Sequence, residues 1–370
     1  MNKNYLFFGV IVIVILALII GFSIGGNNDT LKVGLVAPMS GDVSIWGTNV
    51  LVGAQIAIDE FNAKGGLNGQ KIELIVEDGQ CSAEAGAKAY SALLNGNDLV
   101  AMLGPVCSAE ASAGLPQGVV ANMPTVIATA SAPELTALGD NIFRVYPSDT
   151  LQGGFAAEYV YNVLGKKKVA IIYASNAWGQ GVANNFKTAY QKLGGEIVYF
   201  DKVSQDEVEV KDVINKSKST NPDMLFLPIY PKTIMAILKT KDELNWNIPV
   251  LGGDATLSEE VIKSNLGNEI LFTQPQFNIS EELKEKVKKK NGENFMINVG
   301  SSFGYDAAIV LLTALENADS LSHEDVIKEL AKTKISGISN SVIEFDAEGD
   351  LKTGTFEVQI IKNNQAIPAE

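Results

Sequence analysis

The side chains best equipped for chemistry sit in short polar loops that follow apolar runs: MSGDVSIWG (39–47), GPVCSAEAS (104–112), ATASAPELT (128–136) and SNAWGQG (175–181). A helix that starts after such a loop presents free backbone N–H groups, a natural seat for an anion such as a carboxylate. Ser108, Thr129 and Ser131 add three hydroxyls to that seat without any basic residue. Ser108 and Ser131 also read as ordinary helix N-caps. Two further loops, FLPIYP and LGGDATLS, bring Tyr230 and Asp254. Asp254 reads either as another N-cap or as the partner of an ammonium group, a charge opposite the anion seat. Trp46 and Trp178, each followed by glycine in a polar loop, read as walls for an apolar portion of a ligand.

Other chemistries have little to draw on. The single histidine, His323 in LSHEDV, reads as a surface residue at a helix start, which leaves no base for a Ser-His-Asp or Cys-His site. No clustered His/Cys set, acidic metal loop or phosphate-binding loop occurs, so neither metal nor cofactor is expected. A net charge of −14 without a basic stripe argues against nucleic acid. The pattern is that of a binder, and an enzyme is the least favoured class.

The elements that must position these loops alternate. LKVGLVA (31–37), KIELIVE (71–77), LVAMLG (99–104) and MPTVIA (123–128) read as strands, with helices after each of the first three. The programme then restarts: KKVAIIYASNAWGQGVANNFKTAYQKLGG (167–195) repeats the order of 31–66, strand, polar loop ending in Trp-Gly, helix, Gly-Gly. DMLFLPIY (223–230) and IPVLGGD (248–254) add strands. The fold class expected is α/β, two similar doubly wound parallel-sheet lobes with the ligand beyond the strands' carboxyl ends.

Residues 5–24, YLFFGVIVIVILALIIGFSI, carry no charge and follow Lys3. Their length suits a membrane-spanning helix with the remainder of the chain outside, which makes the anchored reading the expectation and a cleaved signal peptide the alternative. A lipoprotein signal would need a cysteine just after the run, and the sequence has none there. An exported location favours a disulfide between Cys81 and Cys107 over two separate buried thiols.

Taken together, APMSGDVSIWG, FNAKGG, EDGQCSAEA, GPVCSAEAS, ATASAPELT, FRVYPSD and SNAWGQG resemble the type I periplasmic-binding-fold receptors for branched-chain amino acids (Leu/Ile/Val) of ABC transporters. The resemblance runs from Leu31 to Asp350 and beyond. It implies that Ser108 holds a ligand carboxylate by hydroxyl and N–H, and that Ser131 assists. The Thr129 carbonyl and Asp254 would receive the ammonium, Trp46, Trp178 and Tyr230 would close over the ligand, and Cys81 and Cys107 would pair. It also implies residues 31–146 plus 278–354 as lobe 1 and 147–277 plus 355–370 as lobe 2, joined by a three-stranded hinge, with 1–30 as anchor or signal and linker.

Two departures bear on the ligand: the family often has Tyr at both Trp-Gly positions and Glu where Asp254 stands. The stretch Ser301, Ser302, Phe303 is only loosely matched and would supply the lobe-1 side of the side-chain pocket. The expected function is an extracytoplasmic, monomeric solute-binding protein that delivers an apolar amino acid to a permease. Receptors for an amide, urea or aromatic acid, and a sensory ectodomain, are the alternatives. Against the last, the chain ends at AIPAE without a second membrane segment.

Overall fold

The structure, a computed structural model, describes residues 30–369. The apolar stretch 5–24 lies outside the described residues, and among those described no helix is long and apolar enough to cross a membrane.

Two sheets organise the chain. The first contains β1 (Leu31–Ala37), β2 (Ile72–Asp78), β3 (Leu99–Leu103), β4 (Thr125–Ile127) and β5 (Ile142–Arg144), in the order β2-β1-β3-β4-β5. Every neighbouring pair is parallel. Parallel strands need a crossover, and α1 (Ser44–Ala63), α2 (Ala83–Gly96) and α3 (Ser108–Val120) supply the first three. LKVGLVA forms β1 residue for residue, and α3 begins at Ser108.

Helix α4 (Asp149–Glu158) then leads into the second sheet. Its parallel part is β6 (Lys168–Ala174), β7 (Glu196–Val203), β8 (Met224–Leu227), β9 (Val250–Gly252) and β10 (Leu271–Pro275). Between these strands run α5 (Ala177–Lys192), α6 (Lys211–Ser219), α7 (Pro231–Glu243) and α8 (Glu259–Lys263).

The chain next returns to the first sheet. Helices α9 (Glu281–Asn291) and α10 (Val299–Asn317) pack on α1, where a β-carbon at Gly53 would lie 2.0 Å from the Ser301 carbonyl oxygen. After α11 (His323–Leu330) and the short ladder of β11 (Lys334–Ile335) with β12 (Ile343–Glu344), it crosses once more to β13 (Phe356–Lys362) and β14 (Gln365–Pro368). The backbone therefore passes between the sheets three times, after β5, after β10 and before β13.

The sheets are not parallel throughout. β13 runs antiparallel to β10, and β14 antiparallel to β13, so the second sheet reads β14-β13-β10-β9-β8-β6-β7. An antiparallel edge on a parallel sheet needs only a hairpin, and Asn363 and Asn364 provide it in left-handed backbone. β7 escapes a reading by apolar runs because it is an edge strand whose sequence, EIVYFDKV, stays half-buried or exposed at every residue but the last. His323 opens α11 half-buried, with its Nε2 3.2 Å from the Leu99 carbonyl oxygen.

Candidate functional site

The strand-end loops of both sheets meet at one cavity, and all seven candidate side chains lie on its wall: Trp46, Ser108, Thr129 and Ser131 from the first-sheet side, Trp178, Tyr230 and Asp254 from the second. About 40 Å³ is open to the centre of a water molecule.

One end of the cavity is an arrangement of donors. Ser108 is the first residue of α3, and its Oγ accepts from the backbone N–H of Ser131 and of Ala132, each at 3.1 Å. With its lone pairs engaged, the hydroxyl has its own hydrogen left to give, and at a helix N-terminus that makes an anion seat. Ser108 thus caps a neighbouring loop and not its own helix, and Ser131 caps no helix. Thr129 turns its hydroxyl to the Val106 carbonyl oxygen at 2.9 Å, which fixes the turn between β4 and Ser131.

Behind these residues Cys81 and Cys107 form a disulfide, with Cα atoms 5.3 Å apart. Glu110 fastens both halves: it accepts from the Cys81 N–H at 2.8 Å and from the Cys107 N–H at 3.0 Å. Its carboxyl is fully buried, and burial pushes its pKa up to about 7 against the pull of the backbone N–H groups. The other side of the seat is held by Arg144, wholly buried, which donates to the Ala132 carbonyl oxygen at 2.7 Å and grips Asp350 through Nε and Nη2. That paired geometry locks the 130–132 loop to the third crossing.

The opposite end is acidic. Asp254 opens a single 3-10 turn after β9, and its Oδ1 accepts from the Ala255 N–H at 3.1 Å. Its Oδ2 accepts from the Tyr146 hydroxyl at 2.6 Å, a bond from the first crossing to the second sheet. Burial raises the Asp254 pKa, although the Tyr146 and Gln152 side chains pull it back. Tyr146 in turn is held neutral by burial and by Asp254 beside it.

The walls between the two ends are aromatic. The Trp178 and Tyr230 rings lie 5.0 Å apart. The Tyr230 hydroxyl reaches across to Cys81 Sγ at 3.6 Å; a disulfide sulfur has no hydrogen, so the hydroxyl is the donor. Glycine places each tryptophan: a β-carbon would come 2.1 Å from the Pro38 carbonyl oxygen at Gly47 and 2.4 Å from that of Ala174 at Gly179. In both halves a helix start is seated on the end of the preceding strand, and the Trp before the glycine is delivered to the cavity. Outside, Lys232 faces Asp42 at 3.7 Å, an exposed pair that contributes little.

This geometry of two strand-end loop clusters around one cleft agrees with the comparison to protein families, where the periplasmic binding protein model matches residues 30–365. The chain belongs to this family. Among related sequences, a Leu/Ile/Val-binding protein homolog from Brucella melitensis is 26% identical over 347 residues, 92% of this chain and 93% of that protein. A leucine-specific-binding protein from Salmonella typhimurium is 27% identical over 353 residues, 90% and 91% of the two chains. The crystal structure of a leucine binding protein from Thermotoga maritima superposes with a TM-score of 0.84 at 26% identity, covering 92% of this chain and 98% of that one.

Several residues of this binding protein's cleft escape a reading of strand-end loops. Val43, Val106 and Ala255 line the cavity, and Glu110, Arg144, Tyr146 and Asp149 hold its wall from behind. Glu110 stands three residues into α3, where an acid ordinarily faces water. A correction concerns Ser301, Ser302 and Phe303: none lines the cavity. They belong to α10 inside the first-sheet core, with the Ser301 hydroxyl on Asn49 at 2.6 Å and the Phe303 ring 4.8 Å from that of Tyr146. Phe303 therefore supports the crossing that carries Tyr146.

Proposed function

We propose that the protein is an extracytoplasmic receptor that captures an α-amino acid with an apolar, branched side chain and presents it to an ABC-transporter permease. The reading rests on the charge layout of the cleft. The charged side chain on its wall is the carboxylate of Asp254, while the facing end offers the Ser108 hydroxyl and the N-terminus of α3. A zwitterion satisfies both ends at once. A carboxylic acid without an amine would leave Asp254 buried and unpaired, a costly arrangement.

Ser108, assisted by Ser131, then takes the carboxylate, the Thr129 carbonyl accepts from the ammonium, Asp254 completes the ammonium site, and Trp46, Trp178 and Tyr230 surround the aliphatic part. The names of the relatives, Leu/Ile/Val-binding and leucine-binding, point the same way. We take 31–146 plus 278–354 as one lobe and 147–277 plus 355–370 as the other, closing about the three crossings so that the ligand bridges them. In this reading residues 5–24 anchor a monomer to the membrane as a spanning helix, or are removed as a signal segment.

The test is a thermal-shift panel of the amino acids together with amides, urea and aromatic acids. A ligand at a hundred times its dissociation constant adds about 2.7 kcal/mol to unfolding. Leucine, isoleucine and valine are expected to raise the melting temperature by several degrees. A shift with benzoate or an amide, and none with any amino acid, overturns the reading.

A further inference from the structure

Directly behind Ser131 lies an acid that the cleft described so far does not use. Asp149 opens α4 at the first crossing and is wholly buried, and neither carboxylate oxygen has a hydrogen-bond partner of ordinary geometry. Acids at the first position of a helix are common where water reaches them, but this one is sealed. Its N–H donates to the Ser131 carbonyl oxygen at 2.9 Å, which holds the two residues side by side. On the far side a β-carbon at Gly181 of α5 would sit 2.8 Å from its Oδ2, so the carboxyl is wedged between the Ser131 loop and the helix that carries Trp178. The groups that act on it are Arg144, Glu134 and Asp254, and its charge is felt by Tyr146 and Tyr230.

Resting on the amino-acid reading above, we infer that Asp149 is a positioning residue of the ammonium site, acting through the Ser131 hydroxyl and through Asp254. The two serines of the cleft have opposite tasks. Ser108 accepts two backbone N–H groups, so it can only donate onward to the ligand. Ser131 has the Asp149 carboxyl behind it; once its hydroxyl hydrogen points there, its lone pairs are left facing the cleft, ready for a donor such as an ammonium. One serine is thereby set for the carboxylate and the other for the amine, which fixes the direction in which the ligand lies.

A second consequence concerns protons. Two buried acids near one another cannot both ionise without a cation. Burial raises the pKa of Asp149, as does the charge of Asp254, against the pull of Ser131 and of Arg144. Burial and the nearby second acid favour a proton on the pair, and an arriving ammonium favours its release. Affinity must then rise with pH across the range in which the pair ionises, with a proton released on binding.

Titration calorimetry with L-leucine, L-isoleucine and L-valine, run between pH 5 and 8 in buffers of different ionisation heat, tests this. The unaltered protein is expected to release a proton on binding in the acidic part of that range. Asp149→Asn is expected to bind about tenfold more weakly at neutral pH and to release fewer protons, its profile moving to lower pH because Asp254 is relieved of a neighbouring charge. In a Ser131→Ala background the same change should cost much less, which a merely structural role would not produce. Equal affinity and profile in Asp149→Asn, or an equal loss with and without the Ser131 hydroxyl, overturns the inference while leaving the amino-acid reading intact. If Asp149→Asn does not fold, the proton count of the unaltered protein decides, and binding without proton release at any pH overturns it. If the unaltered protein binds no amino acid, the reading beneath falls and this inference with it.

Discussion

The two ends of the cleft are finished to different degrees. At the Ser108 end almost every polar atom has a partner in the protein: two N–H groups on the serine oxygen, two on Glu110, and Arg144 shared between a carbonyl and Asp350. At the Asp254 end the carboxylate has the Tyr146 hydroxyl and the Ala255 N–H, but a second acid, Asp149, has no ordinary partner, and the Gln152 Oε1 is likewise unpaired. Buried polar atoms left in this state are expensive, and proteins retain them where a ligand or a conformational change makes use of them. The first end is a preformed cradle. The second is completed by what it binds.

The largest effect should come from breaking the unfinished end. Asp254→Ala removes the charge that faces the ammonium and strands the Tyr146 hydroxyl, which donates to it at 2.6 Å inside the protein. Charge-assisted hydrogen bonds of this kind contribute about 1.5–3 kcal/mol, so a loss of affinity on the order of a hundredfold is expected. The fold should tolerate the change, because relieving a buried charge offsets the lost bond. Calorimetric affinity alongside a denaturant melt checks both; unchanged affinity would mean that the two ends are not complementary parts of one site.

At the finished end the pattern should invert. Ser108→Ala deletes an oxygen that the Ser131 and Ala132 N–H groups both use, and leaving those donors buried and unpaired costs about 1–3 kcal/mol of stability. Affinity should fall about tenfold, less than for Asp254, since the α3 N-terminus remains. The measurement is a pair of urea melts with a leucine titration. A stability equal to that of the unaltered protein would show that the serine is not the brace of the 130–132 loop.

The sequence reveals the lining of both ends better than the residues that stand behind it. Hydroxyl and aromatic residues in loops after apolar runs are visible because parallel sheets put ligands at strand ends, and Trp46, Ser108, Thr129, Ser131, Trp178, Tyr230 and Asp254 all meet at one cavity. The repeated Trp-Gly was legible as a duplicated motif, and the glycines have the same steric cause in both halves. Glu110, Arg144 and Asp149 were not legible. Charged residues near helix starts and strand ends ordinarily face solvent, and only packing between distant segments, such as 144 on 350 or 110 on 81, decides that these do not. The half-exposed edge strand β7 was missed because apolar runs mark buried strands, whereas the C-terminal strand expected within 355–370 is present and only its antiparallel direction went unread, since apolar runs do not encode direction.

The smallest effect on affinity should come from Glu110, which acts on the cradle only through the disulfide and the start of α3. Its effect on stability carries a definite sign. With a pKa near 7 in the folded protein against 4.5 for an unperturbed glutamate, the native state holds the proton more tightly than the unfolded chain between those values. The contribution is therefore full below pH 4.5, declines as pH rises towards 7, and is flat above, up to about 3 kcal/mol in all. Glu110→Gln should lower stability throughout, because an amide cannot accept from both cysteine N–H groups with both of its atoms, and should flatten the pH profile by one proton over that window. Affinity for leucine should change by no more than about twofold where the protein is folded, since the disulfide still ties Cys107, the residue before Ser108, to Cys81. Denaturant melts at pH 5, 6, 7 and 8 read the slope directly; an unaltered slope in the variant would place the titration on another acid and leave Glu110 as a permanently ionised clasp.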